Sequence, residues 1–210
     1  MIRLLPIGLV CLALTVWSAA AETARQITWD NLIPAVPALT HPFTGLTMEQ
    51  RDDMDTIAML EKVAPGAAHA KELMEALISD GIDVDELLSR MSAFEAEIDR
   101  RNGLVVTELE GELVRIPGYV LPLEFSETGV TEFLLVPYIG ACIHVPPPPP
   151  NQMVFVRLRE TFAAQGLYRP VWVTGRMSVE DTSSALSYVD GQAQIAASYV
   201  LDGTDVEPYE

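Results

Sequence analysis

The chain has 210 residues, with 30 acidic side chains against 13 Lys and Arg, a net charge of −17 and 49% apolar residues. That length suits one domain with a real core, or one domain with a small appendage. So acidic a surface repels phosphate backbones and anionic headgroups, which argues against nucleic-acid binding and favours cations and basic partners.

The opening stretch, "MIRLLPIGLVCLALTVWSAAAETA", reads as a secretory leader. Arg3 gives the positive start, Leu4 to Trp17 the apolar core, and Ala19-Ala20-Ala21 a cleavage site before Glu22. The core is too short for a good membrane span, and no later segment is long and apolar enough. Cys11 lies within it behind Gly8-Leu9-Val10, which does not suit a lipid-attachment signal, so it is expected to leave with the leader. Cys142 is then the lone thiol, and an intramolecular disulfide is impossible.

Residues 22–46 read as an extended arm. Pro34, Pro37 and Pro42 prevent a continuous helix, while Trp29, Leu32 and Ile33 have the character of anchors. Three helices are expected between Thr47 and Arg101. Thr47 and Gln50 have capping-box spacing, followed by Met54, Ile57, Ala58 and Leu60. Pro65-Gly66 breaks that stripe. A second helix runs from about Ala67 to Ile78 and stops at Asp80-Gly81. Asp83 and Glu86 open a third, with Leu87, Leu88, Met91, Phe94 and Ile98 at helical spacing, and Asn102-Gly103 ends it.

From Leu104 the period changes to short β-rich runs: "GELVRIPGYVLPLEF", "VTEFLLVPYIG", "NQMVFVRL", "RPVWVTGRMSV" and "QIAASYVLDGTDVEPYE". Trp172, Phe155 and Tyr199 are expected in or near the core. Strands of this length, with glycines where they must bend, predict an α+β fold in which a helical N-terminal part packs on a small OB-like β-barrel. An immunoglobulin-like sandwich would want more strands. The organisation expected is a leader over 1–21, arm and helices over 22–103, and the barrel over 104–210.

The candidate site is "GACIHVPPPPPNQ", Gly140 to Gln152. Residues two apart in an extended segment face the same way, so Cys142 and His144 could converge on one ion. Zinc accepts both ligands and copper(I) suits the sulfur. A closed zinc site needs further ligands, and His41 and His69 are the remaining histidines. Alternatively, Cys142 packs as a small hydrophobe and His144 bonds the loop. The prolines Pro146 to Pro150 favour a stiff polyproline II rod, able to present a ligand or wall a pocket. Asn151 and Gln152 can bond the rod's carbonyls or a ligand, or tie the loop down. Tyr138, Pro147 and Pro148 complete the binding candidates. A thiol enzyme is the least supported reading, because cysteine hydrolases usually bring their histidine from a distant segment, and no catalytic residue is assigned.

"GYVLPLE", "EFLLVPYIGACIHVPPPPPNQMVFV" and "PVWVTGRMSV", in that order, resemble the uncharacterised bacterial envelope family known as domain of unknown function 3299. "TWDNLIP" is similar to that family's N-terminal arm, and the helices between Thr47 and Arg101 look like its variable part. The resemblance implies a periplasmic or lipid-anchored protein of Gram-negative bacteria without an established activity, an accessory role beside ABC-type export or metal-related systems, and Cys142 and His144 as part of a shared motif. Together these readings give a non-enzymatic periplasmic binding protein, metal-linked through zinc or copper(I). The alternative is a metal-free module that docks a peptide or protein through the polyproline loop.

Overall fold

A computed structural model describes residues 22–123, 129–139, 147–162, 170–188 and 191–209, without the side chains of 185–188 and 191–193. Its elements are three α-helices and a six-stranded sheet, in an α+β fold. Among these residues no helix is long and apolar enough to cross a membrane.

The helices follow the local signals. α1 (Met48–Val63) begins on Thr47, whose hydroxyl accepts from the Gln50 amide while the Gln50 side chain returns to the Thr47 amide. That reciprocal cap satisfies two first-turn donors. α2 (Ala68–Ser79) has no side-chain cap, and α3 (Val84–Asn102) is capped by Asp83. Met54, Ile57, Leu77, Val84 and the arm residue Phe43 form a small core of their own.

The sheet begins in the arm. β1 (Arg25–Gln26) lies parallel to β2 (Leu113–Pro122). β2 pairs with β3 (Val130–Val136), and β3 with β4 (Val154–Phe162), both antiparallel. β4 runs parallel to β6 (Gly191–Pro208), β6 is antiparallel to β5 (Pro170–Tyr188), and β5 returns to β2. The pairings therefore lead back to the strand on which they began.

All five strands of that circuit supply the inner core, which includes Ile116, Phe133, Val156, Val173 and Tyr199. Along β2 the burial alternates, with Val114, Ile116 and Val120 inside and Arg115, Pro117 and Tyr119 half-buried. A second cluster uses the opposite face: Leu134, Val136, Phe155 and Val200, joined by Ile195 from the β5–β6 hairpin. β5 runs past the expected "RPVWVTGRMSV" to Tyr188, and β6 begins at Gly191, just before the expected "QIAASYV", so the two form a long hairpin, with register shifts at Thr174/Gly175 and Val179/Thr182. Gly175 permits the close crossing of β5 and β6, since a Cβ there would lie 2.5 Å from the Asp202 carbonyl oxygen.

The arm is fastened by few but specific contacts. Leu32 is fully buried, and the Trp29 indole donates to the Pro117 carbonyl at 2.7 Å. Ile33, expected as a third anchor, is exposed, because the chain leaves the short 3₁₀ turn Trp29–Leu32 there in extended form. The Tyr199 hydroxyl donates to Leu32 carbonyl at 2.8 Å and accepts from the Val106 amide at 2.7 Å. One phenol thus ties the last strand to the arm and to the segment after α3.

Candidate functional site

The loop that follows β3 leaves the sheet at Pro137, and Tyr138 and Ile139 are both exposed. Cys142 and His144 lie outside the described residues, as does the leader over 1–21. The chain is described again from Pro147, which is exposed, while Pro148 is buried. Pro149 has polyproline II angles, φ −62° and ψ 156°. The run does not pass straight into a strand. Pro150–Gln152 form a 3₁₀ turn, in which the Gln152 amide bonds the Pro149 carbonyl at 2.8 Å.

This turn explains the two amide side chains. Asn151 is 3% exposed. Its amide nitrogen donates to the carbonyls of Arg101 (2.9 Å) and Leu104 (3.0 Å), at and just beyond the end of α3. The Arg101 carbonyl also accepts from the Leu104 amide at 3.0 Å, so Asn151 adds a second donor there from a distant part of the chain. The Gln152 amide nitrogen donates to Trp29 and Asn151 carbonyls, each at 3.0 Å. These donors serve α3, the arm and the turn itself, rather than the carbonyls of the proline rod. The C-terminal end of the loop is thus tied to both the helical layer and the arm.

Beside the loop's first residue lies a groove of about 260 Å³, lined by Trp29, Pro117, Gly118, Tyr119, Pro137, Pro170 and Tyr209. Tyr209 stacks on Trp172 with centroids 5.2 Å apart, and the Arg115 guanidinium lies 4.3 Å over the same indole. Arg115 is also paired with Glu207 at 2.7 Å. Aromatic faces and proline edges offer such a groove flat apolar contact, and tyrosine hydroxyls can fix a ligand's orientation. Trp29 belongs to the groove wall while its carbonyl holds Gln152, so groove and loop share a support. Of the expected site residues, Gln152 is thereby joined to this wall, and Tyr138 follows Pro137 directly.

Sequence reasoning missed Tyr119, Pro170 and Tyr209, and read Trp29 only as an anchor. Their distance along the chain hides the groove; the faint signals were Pro117 within a strand and a Trp in a polar arm. The other two histidines lie in the arm and in α2. His41 packs edge-on against Phe43 and Phe94, and its Nδ1 accepts from the Phe43 amide at 3.2 Å. His69 faces Glu72 at 3.7 Å on the exposed surface of α2. Among the described residues no group of three or more His, Cys, Asp or Glu is placed to hold a metal.

The fold and the loop define an α+β protein with a strand circuit, an N-terminal tie and a proline-rich loop rooted beside an aromatic groove. The chain belongs to the family of proteins of unknown function DUF3299, whose profile matches residues 29–208, helices included. A crystal structure of a DUF3299 family protein from Pseudomonas aeruginosa PAO1 is 32% identical, over 90% of this chain and 98% of that one, with a TM-score of 0.50. No curated protein matches the chain.

Proposed function

We propose that this is a non-enzymatic binding protein of the periplasm, which docks a basic, extended peptide segment in the groove at the root of the polyproline loop. The observation that carries this reading is the shared support: Trp29 walls the groove and its carbonyl fixes Gln152 at the loop's end. A preformed contact surface loses little freedom on binding. The net charge of −17 favours a basic occupant. We take the strand circuit as a small barrel of the OB type, on the support of five strands closed by one parallel pair. Export is supported by the leader pattern, and the accessory role beside an ABC-type transporter rests on the family resemblance.

The test is titration of the mature chain with a library of extended Lys/Arg-containing peptides. Binding should weaken at least tenfold in Tyr209→Ala and in Tyr138→Ser, and fall with added salt. Equal binding by both variants would overturn the docking site.

The Cys-x-His spacing favours a second reading, in which Cys142 and His144 hold zinc or copper(I) and make the docking metal-linked. Calorimetric titration with zinc, and with copper(I) under reducing conditions, separates the two. Cys142→Ser and His144→Ala should each weaken a real site by orders of magnitude, and affinity should fall at lower pH because the thiol must ionise. Wild-type affinity no tighter than that of both variants refutes the metal.

A further inference from the structure

The arm contains "IPAVPAL", Ile33 to Leu39. Pro34 and Pro37 fix their own φ near −65° and drive the residues before them, Ile33 and Val36, into the extended region. Only Ala35 within Ile33–Pro37 escapes such a restraint. Polyproline II has three residues per turn. Ile33, Val36 and Leu39 then fall on one edge of the segment, and Pro34 and Pro37 on the next. The first edge is exposed throughout, at 42%, 38% and 36%. Residues 35–40 are all exposed.

The segment is also tied at one point. The Arg101 guanidinium donates to the Pro37 carbonyl at 2.6 Å, and Arg101 is braced by Glu97 at 2.7 Å. Among the described residues the backbones of Pro34, Ala35 and Val36 make no hydrogen bond. A strap that merely joined arm to helices would need no apolar side chains in phase on its open side. Serine or threonine would serve.

We propose that Ile33–Leu39 is a docking ligand, read by a basic partner protein with an aromatic-lined groove. In a polyproline II conformation the pattern apolar-Pro-x-apolar-Pro places two apolar-proline pairs one turn apart, about 9 Å. Aromatic-lined grooves recognise that geometry. The sign of the partner's charge follows from this chain. Its net charge is −17, and the exposed carboxylates of Asp30 and Glu108 share with Ile33 and Pro34 a cavity of about 490 Å³, against Arg25 alone. This inference is independent of the groove beside the polyproline loop.

The experiment is photocrosslinking in the cells that make the protein, with Val36→benzoylphenylalanine in the full chain and Met59→benzoylphenylalanine as an exposed control. The expected result is an adduct with one basic protein at position 36 and none at 59. That protein, purified, should bind the full chain, less tightly at higher salt. Ile33→Ser with Val36→Ser should weaken binding at least tenfold without changing thermal unfolding, since both side chains face solvent. Ala38→Asp, on the third edge, should leave binding within twofold. No adduct above the control, an adduct with a second copy of this chain, or a captured protein that binds the double variant as well as wild type would each overturn the proposal.

Discussion

Replacing Tyr199 with Phe removes one oxygen from a fully buried side chain and keeps its ring. The oxygen accepts from the Val106 amide at 2.7 Å and donates to the Leu32 carbonyl at 2.8 Å. Phenylalanine fills the same space without the oxygen, so the cost comes from the two groups left behind. A buried donor without a partner costs about 1–3 kcal/mol, and a lost ordinary bond about 0.5–1.5. The Leu32 side is fully buried and the Val106 side half-buried, so the lower half of the combined range applies, about 1.5–3 kcal/mol. For a chain of this size that lowers Tm by roughly 3–12 °C. Urea denaturation measures it, with Tyr138→Phe as an exposed control expected within about 0.5 kcal/mol of wild type. Burial also raises the Tyr199 phenol above its ordinary value near 10, and the Val106 bond offsets part of that rise. Stability from the neutral phenol is therefore complete below pH 10 and is lost as pH climbs from 10 through the folded value; Tyr199→Phe should lack this alkaline loss. A loss under about 0.5 kcal/mol would show that the phenol is not what joins β6 to the arm.

Asn151→Asp keeps the shape but sets a carboxylate against the Arg101 and Leu104 carbonyls, at the negative end of α3. It should cost about 2–4 kcal/mol near neutral pH by chemical denaturation, with the deficit shrinking as acid neutralises the new group. Gly175→Ala meets the Asp202 backbone at 2.5 Å, whereas Gly203→Ala meets the movable end of Leu158 at the same distance. The first should therefore lose about 2–3 kcal/mol and the second about 1, on the same assay. Glu97 is held down to about 2 from 4.5 by its hydrogen bonds to Arg100 and Arg101. Its contribution is present above 4.5 and is lost as pH falls from there toward 2, so Glu97→Gln should flatten that part of an acid-denaturation curve.

What the sequence made legible was local. Thr47 with Gln50, Pro65-Gly66 and Asn102-Gly103 mark helix ends, because the groups they cap lie within a turn. The β-rich run that forms β2 was equally visible. β1 has two residues and no pattern, so only its partner reveals it. The far half of the β5–β6 hairpin is rich in Ser, Thr and Ala, which carry little period. The site divided in the same way. The loop motif is contiguous and stood out. The groove joins Trp29, Tyr119 and Tyr209 across nearly the whole chain, and the acceptors of Asn151 lie 50 and 47 residues away. Nothing in a local window records such partners. The tie-down role of the two amides was one of the alternatives read from sequence, but which carbonyls they meet was not.

The circuit of strands has a consequence for how the molecule is born. Of the described strands β6 is made after the others, and it joins β4 to β5 while bringing Tyr199 to the arm. On a ribosome or in a translocation channel, the earlier strands must wait with their inner faces uncovered until residue 208 has emerged. Such long-range closure slows folding and lengthens exposure of apolar surface. The helices carry a separate small core, and their contacts are close in sequence, so they can form during that wait. A nascent chain arrested before β6 should therefore show folded helices and an open sheet that binds a chaperone, and release of β6 should close the sheet and fasten the arm at once.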